Sequence, residues 1–326
     1  MTRLVFMGSD PIALPLLEAL AGRIGGPEIV ALYTQPDRPS GRGQQVRPNP
    51  VKLWAMARGI EVLQPDRLDE TERLKLESIR PDLILVMAYG HLLRQSWLDT
   101  PPRGIYNLHT SLLPEYRGAS PIQATVLEGD VEGGVTLMKM VARLDAGPVV
   151  DLERVRLDPL ETAATLEAKL AAACVPLVQR NLDSIGQGIV VLRPQDDSRA
   201  TFTRRLRKAD GVLDFSASAE MLARRINGLF PWPGVNIKMG DLSIRCGLAE
   251  ALPEAGGDPP GRVLGFDAAG LRVATGSGVL RIRRLQRPGG RMLEATEFAR
   301  GFPIPEGTLF DSQAMPVLVG NEPLRA

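Results

Sequence analysis

Gly104-Ile105-Tyr106-Asn107-Leu108-His109-Thr110-Ser111-Leu112-Leu113-Pro114-Glu115-Tyr116-Arg117-Gly118 is the stretch that decides how the chain is read. Its first six residues form a short, largely apolar run, preceded by Pro101-Pro102 and followed by a turn cluster, which is the pattern of a buried strand. Asn107 and His109 lie two apart, so the strand period of two puts both on one face at its carboxyl end. Carboxyl ends of parallel strands are where open α/β sheets bind ligands. An imidazole beside a carboxamide offers two donors suited to charge developing on a carbonyl oxygen. A capping asparagine and a satisfied core histidine would also account for the pair. The rest of the chain has to decide.

Working outward, 4–8, 29–33, 61–63 and 83–87 are further apolar strands with helical stretches between them. One helix opens at Pro11 and turns Ile12, Leu16 and Leu20 to one side. Strand–helix alternation of this kind predicts a doubly wound, mostly parallel α/β sheet. Gly8-Ser9-Asp10 has neither the spacing of a dinucleotide fingerprint nor a P-loop lysine, so it reads as a tight connection in which Gly8 allows close packing. Residues 35–50 form a long polar loop with Arg38, Arg42 and Arg47 against one acid, Asp37. Connections in such folds usually take ~2–6 residues, so a mobile surface loop and a phosphate-contacting loop both stay open.

Residues 134–140 read as a strand, followed by the turn Ala142-Arg143-Leu144-Asp145-Ala146-Gly147-Pro148. Asp145 can simply initiate that turn. Placed near His109, it would instead orient the ring and favour its charged form. Residues 162–185 form an amphipathic helix with Leu166, Leu170, Leu177 and Leu182, and Pro176 is expected to kink or divide it. Residues 193–199 are polar and turn-rich, the mark of a linker, and 203–208 form a basic cluster. A helix over 220–230 and five short strands (235–239, 242–246, 263–266, 271–275 and 279–285) suggest a small OB-type barrel. In the last strand Arg281 and Arg283 share a face, with no acid between 279 and 293. Either a solvated face or a nucleic-acid contact fits.

Bulk properties set the frame. At 326 residues, 44% hydrophobic and 24% charged, the chain is an ordinary globular composition with room for two domains. No apolar run reaches the ~20 residues of a membrane span. The amino end enters a strand at once without a signal-peptide pattern, so a cytoplasmic location is expected. Cys174 and Cys246 are isolated, which argues against disulfides and a zinc site. A formal net charge of +1 leaves any nucleic-acid surface to local clustering.

Taken together, the chain resembles the methionyl-tRNA formyltransferases of the folate-dependent formyltransferase family. The central carrier is Asn107-Leu108-His109 followed by Ser111-Leu112-Leu113-Pro114-Glu115-Tyr116-Arg117-Gly118. Phe6-Met7-Gly8-Ser9-Asp10, Val86-Met87-Ala88-Tyr89-Gly90 and Leu144-Asp145-Ala146-Gly147 also match, and these specify chemistry rather than acceptor. Acceptor-specific likeness lies in Pro36-Asp37-Arg38-Pro39-Ser40-Gly41-Arg42-Gly43 with Pro50-Val51-Lys52, in Phe230-Pro231-Trp232-Pro233-Gly234 and in Glu297-Phe298-Ala299-Arg300-Gly301. Ala209-Asp210-Gly211 depart from the pattern, and 311–326 match nothing in it.

The resemblance implies a Rossmann-like catalytic domain over 1–189, a linker over 190–206 and an OB-like tRNA-binding domain over 207–326. It implies transfer of a formyl group from 10-formyltetrahydrofolate to the amino group of methionyl-initiator tRNA, by a monomer, without a metal and away from membranes. Asn107, His109 and Asp145 would be catalytic. Ser111, Leu112, Leu113, Pro114, Val86, Met87, Ala88, Tyr89 and Gly90 would bind folate. Arg38, Arg42, Arg47, Arg204, Arg205, Lys208, Arg281 and Arg283 would bind tRNA. A sugar or nucleotide formyltransferase shares the trio but does not need the arginine loop or the basic barrel. A formate-releasing hydrolase would use the same pocket with water as acceptor. A non-catalytic RNA-binding protein could lose the trio, which is complete here.

Overall fold

Leu83–Met87 is buried along its whole length, as a strand covered on both faces must be, and it stands at the centre of the main sheet. The structure, a computed structural model, describes residues 1–40, 45–254 and 257–324. Its strands begin with Arg3–Gly8 (β1), Glu28–Tyr33 (β2), Arg38–Ser40 (β3), Gln45–Arg47 (β4), Glu61–Leu63 (β5), Leu83–Met87 (β6) and Ile105–His109 (β7). Arg117–Gly118 (β8), Glu132–Lys139 (β9) and Val149–Arg156 (β10) follow. The main sheet has the order β10-β9-β7-β6-β1-β2-β5. β7, β6, β1, β2 and β5 pair in parallel, and β9 runs antiparallel to β7. This is the mostly parallel doubly wound sheet that the alternation predicts.

Helices alternate with these strands, their apolar positions recurring at helical spacing. They are Leu14–Ala21 (α1), Pro50–Met56 (α2), Glu70–Ile79 (α3), Gln95–Leu98 (α4), Pro121–Glu128 (α5) and Ala163–Gln187 (α6). Between β1 and α1, Asp10 caps a 3-10 turn by accepting from Ile12 N at 3.0 Å. A Cβ at Gly8 would sit 2.7 Å from the Met87 carbonyl oxygen, so the close-packing reading of that turn holds. On α6, Leu170, Cys174, Leu177, Val178, Leu182 and Ile185 are buried, and Cys174 Sγ lies 3.9 Å from Met87 Sδ of β6.

Three local expectations change. Pro176 does not divide α6, which runs unbroken over 25 residues. Pro176 and Ala172 are not among the buried side chains, so the carbonyl released by the missing N–H lies away from the core while the buried stripe continues on either side. The long loop holds a hairpin, β3 against β4, with Arg38 opposite Arg47. β10 is an additional edge strand whose acids and arginines hide it from an apolar-run criterion.

The remaining strands are Phe202–Thr203 (β11), Val235–Met239 (β12), Leu242–Leu252 (β13), Val263–Phe266 (β14), Leu271–Ala274 (β15), Val279–Gln286 (β16), Leu293–Glu294 (β17) and Val319–Gly320 (β18). β12-β13-β16-β15-β14 form a curled antiparallel sheet, OB-like, with β17 added to β16. Its core joins Phe215, Ile237, Ile244, Val273 and Ile282 to Leu222 and Ile226 of Ala219–Gly228 (α7) and Phe298 of Ala295–Gly301 (α8). The expected boundaries follow chain order, but compactness does not. One compact unit comprises Met1–Arg117, Gly133–Val155 and Glu167–Ala200, and the other Gly118–Glu132, Arg156–Leu166 and Thr201–Ala326. Among the described residues no helix is long and apolar enough to cross a membrane.

Candidate active site

β6 and β7 run parallel with Val86 opposite Asn107, so the segments leaving their carboxyl ends start side by side. After β6 the chain reverses through Ala88 (φ 49°) and Gly90 (φ 82°), with Tyr89 buried between them. Ser9 N donates to the Ala88 carbonyl at 3.2 Å and Gln35 Nε2 to that of Tyr89 at 3.0 Å, which fixes this turn. Burial pushes the Tyr89 hydroxyl well above its ordinary pKa, so it stays neutral. Beyond the turn, the His91 ring lies 5.1 Å from that of Tyr89, and burial first, then Arg38, lowers its basicity.

After β7 the chain folds back on itself. Ser111 Oγ donates to the Glu115 carbonyl at 2.6 Å. Leu113 N donates to Thr136 Oγ1 at 3.1 Å, and that hydroxyl donates to the Ser111 carbonyl at 2.7 Å. Thr136 is fully buried on β9, in register with His109, and so locks the loop to the sheet. The Leu113–Pro114 peptide is cis, and Tyr116 takes a left-handed φ of 59°.

That reversal places the Tyr116 carbonyl 2.9 Å from His109 Nε2. A carbonyl only accepts, so Nε2 carries a proton and Nδ1 is the edge left for other chemistry. Nδ1 faces Asp145 Oδ2 at 3.8 Å, with the two side chains 6% and 11% exposed. The separation is within ion-pair reach but longer than a direct hydrogen bond. Asp145 itself holds a left-handed φ of 47°, a conformation a non-glycine residue keeps only when its surroundings impose it. Asn107 is half-buried on the same face of β7 as His109.

The structure therefore brings His109 and Asp145 together, with Asn107 on the same face of β7; segments 86–90 and 111–114, expected from the sequence to meet folate, lie at and beyond the carboxyl ends of β6 and β7. Within those segments Val86, Met87 and Ser111 bury their side chains, so exposed Ala88 and Gly90 and half-buried Leu112 and Pro114 are what a ligand can reach. Leu113 and Tyr89 lie under them.

The arginines divide. Arg38 and Arg47 are both exposed on the hairpin, whose acid Asp37 is taken by Lys52 Nζ at 2.5 Å and Gln64 Nε2 at 2.9 Å. Those bonds hold the Asp37 carboxyl below its ordinary pKa. Arg42 lies outside the described residues. Arg205 and Lys208 are exposed. Arg204 instead grips buried Asp210 through Nη1 at 3.0 Å and Nη2 at 2.7 Å. Arg281 pairs with Asp267 Oδ2 at 2.6 Å and Glu250 Oε1 at 3.4 Å, and Arg283 with Glu250 Oε1 at 3.5 Å. The local excess of charge read from residues 279–293 is thus offset by acids from neighbouring segments.

Sequence reading gave no role to Thr136, Gln195 or Asp210. Gln195 Nε2 donates to the Asp145 carbonyl at 2.8 Å, and nothing local in 193–199 could signal it. Asp210 sits in Ala209-Asp210-Gly211, which is ordinary turn chemistry by itself.

Residues 2–180 match the family model for formyl transferase, and residues 205–303 match that for the formyl transferase C-terminal domain. The chain is 42% identical over 311 residues to a methionyl-tRNA formyltransferase of Bordetella bronchiseptica, covering 92% of this chain and 99% of that one. It is 41% identical over 309 residues to a methionyl-tRNA formyltransferase of Gluconobacter oxydans, covering 94% and 99%. Among solved structures it resembles WlaRD, a sugar 3N-formyltransferase crystallised with dTDP and 5-N-formyl-THF (TM-score 0.66, 15% identity, 89% of this chain and 99% of that one). It also resembles an N-formyltransferase from Helicobacter canadensis in complex with folinic acid and dTDP-3-aminofucose (TM-score 0.64, 16% identity, 86% and 99%). At such identities the structures speak for the fold alone. The sequence relatives, alike over nine-tenths of the chain, speak for more: it belongs to the methionyl-tRNA formyltransferase family.

Proposed function

We propose that this chain moves the formyl group of 10-formyltetrahydrofolate onto the free amino group of methionyl-initiator tRNA. Asn107, His109 and Asp145 then stand at the reacting centre. The observation that carries the reading is the buried His109–Asp145 pair, 3.8 Å apart, at the end of the strand that also bears Asn107.

The chemistry suits these residue types. An unprotonated amine is already a nucleophile, so no serine or cysteine has to be activated. Its nitrogen bonds to the formyl carbon and the carbonyl electrons move onto oxygen. The Asn107 amide donates to that oxyanion, as does His109 Nδ1 once it has taken up a proton and the ring is an imidazolium, and one such donor is typically worth ~10²–10³ in rate. Collapse restores the carbonyl and breaks the bond from the formyl carbon to folate N10. The proton lost by the amine ends on that nitrogen, with Asp145 and His109 placed to pass it on. The step as written uses no metal.

Ser111, Leu112, Leu113 and Pro114 on one side and Val86, Met87, Ala88, Tyr89 and Gly90 on the other frame the folate, mainly through backbone and small apolar groups. Arg38, Arg42 and Arg47 meet the acceptor end of the tRNA. Arg204, Arg205, Lys208, Arg281 and Arg283 serve its backbone, with most of the phosphate contact falling to Arg205 and Lys208 because Arg204, Arg281 and Arg283 already hold acids. Residues 1–189 are the catalytic domain and 207–326 the RNA-binding one, joined by 190–206, in a cytoplasmic monomer.

The test is incubation with 10-formyltetrahydrofolate and charged initiator tRNA, scored for formylmethionine. Product from the wild type and its loss in His109→Ala are expected. Transfer to an amino sugar nucleotide, with none to charged tRNA, overturns the acceptor assignment.

A further inference from the structure

Residues 193–199 read as a linker, yet Gln195 is bound at every polar position its side chain has. Its Nε2 donates to the Asp145 carbonyl at 2.8 Å and to the Gly147 carbonyl at 2.7 Å. Its Oε1 accepts from Arg117 Nε at 3.1 Å and Nη2 at 2.7 Å. Two amide hydrogens and two lone pairs make four bonds, so the side chain has no freedom to turn over. Arg117 is 3% exposed, and its Nη2 also reaches Asp197 Oδ1 at 2.8 Å. The other Asp197 oxygen takes Arg143 Nη2 at 2.6 Å, from the residue two before Asp145.

These bonds converge on the turn that carries the carboxylate. Asp145 sits at φ 47°, where an L side chain is strained, and the Gln195 amide holds the carbonyls on either side of Ala146 toward one point. Gly147 also packs so tightly on the Lys139 carbonyl that a Cβ could not be accommodated. The turn is thus held by two separate sets of contacts.

We propose that Gln195, itself oriented by buried Arg117, is a positioning residue for Asp145 that keeps its carboxylate at the Nδ1 edge of His109. The inference rests on the reading of Asp145 and His109 as residues of the reacting centre. Glutamine is required rather than glutamate because the two carbonyls need donors. A glutamate at this position would keep the Arg117 contact and present lone pairs to both carbonyls, so Gln195→Glu separates the two halves of the clamp.

Formyl-transfer kinetics, thermal melting and imidazole NMR on the full chain test this. The chain holds two histidines, so a His91→Ala background leaves the His109 ring as the one imidazole signal. Gln195→Leu and Gln195→Glu should each lower kcat by about 10–100-fold with both KM values nearly unchanged. Each should also move the His109 resonances in the direction that Asp145→Asn moves them. The proposal is overturned by an unaltered kcat, or by full activity in Gln195→Glu alone, which would leave only the Arg117 contact important. It is equally overturned if both KM values rise and Tm falls while the resonances stay in place, since that describes a general fold defect. If the wild type transfers no formyl group, the functional reading fails, and the resonances alone then decide the positioning role.

Discussion

His109 is held at its two nitrogens by groups of different kinds, a carbonyl at Nε2 and a carboxylate near Nδ1. The first fixes the ring and the second meets charge as it develops. His109→Ala is expected to lower kcat by ~10²–10⁴ while the dissociation constant of the folate donor, measured by titration calorimetry, stays near wild type. Asp145→Asn keeps the size and loses the charge, so turnover should also fall sharply. Full activity in that variant at neutral pH would rule out the pairing. Asn107 and His109 were legible because strand alternation is a local pattern. The approach of Asp145 was not, since it depends on Gln195, Arg117 and Gly147, which lie far apart in the chain and share no local signature.

Asp210 makes the same point for stability. Burial raises the pKa of its carboxyl, but hydrogen bonds from Arg204 and from Arg207 N at 2.6 Å outweigh burial and bring it below the ordinary value. A carboxyl with a depressed folded-state pKa contributes stability above its unfolded pKa of about 3.9, and loses it as pH falls through the lower folded value. Asp210→Ala should destabilise the fold at neutral pH by about 1.5–3 kcal/mol, because the charge-assisted hydrogen bonds from Arg204 and from Arg207 N are lost. The Tm of the variant should also fall less between pH 5 and pH 3 than that of the wild type, as approximate end points of a melting series.

Elements follow local sequence where one pattern dominates and depart from it where packing decides. α6 survives Pro176 because the proline lies off a stripe that stays buried on both flanks. β10 carries Asp151, Glu153, Arg154 and Arg156, so its pairing at the sheet edge could not be read from apolar runs. The hairpin of β3 and β4 escaped because short exposed strands carry no buried face to betray them. The turn after β9 is the element on which the active site depends most. Gly147→Ala, which forces a methyl group into the Lys139 carbonyl, should reduce kcat by at least ~10-fold by shifting Asp145, with folate binding retained. Unchanged turnover in that variant would mean the turn tolerates displacement.

On the scale of the whole molecule, a formal charge of +1 hides local surfaces of opposite character. Like charges directly opposite on paired strands repel, so Arg38 facing Arg47 is a costly arrangement that a polyanion relieves. Removing both, or removing Arg205 with Lys208, should flatten the dependence of log K for tRNA on log salt by roughly 0.7–0.9 per lost phosphate contact. Arg281→Ala should flatten it less, since that guanidinium already answers Asp267 and Glu250. Arg42→Ala should reduce turnover on initiator tRNA and erode discrimination against other charged tRNAs. Equal slopes for Arg205→Ala and Arg281→Ala would show that the internal acids do not matter to RNA binding.

The division of the chain into units that alternate along the sequence bears on how the protein is made. α5 belongs with α7, yet it is completed about 100 residues earlier, with Leu127, which packs against the core that α7 helps to build, awaiting its cover. At ~5–20 residues per second, a ribosome leaves that helix unpartnered for roughly 5–20 s on every round of synthesis. A nascent chain halted near residue 200 would therefore still expose the α5 surface that α7 covers, and is expected to bind chaperones more readily than the finished protein does.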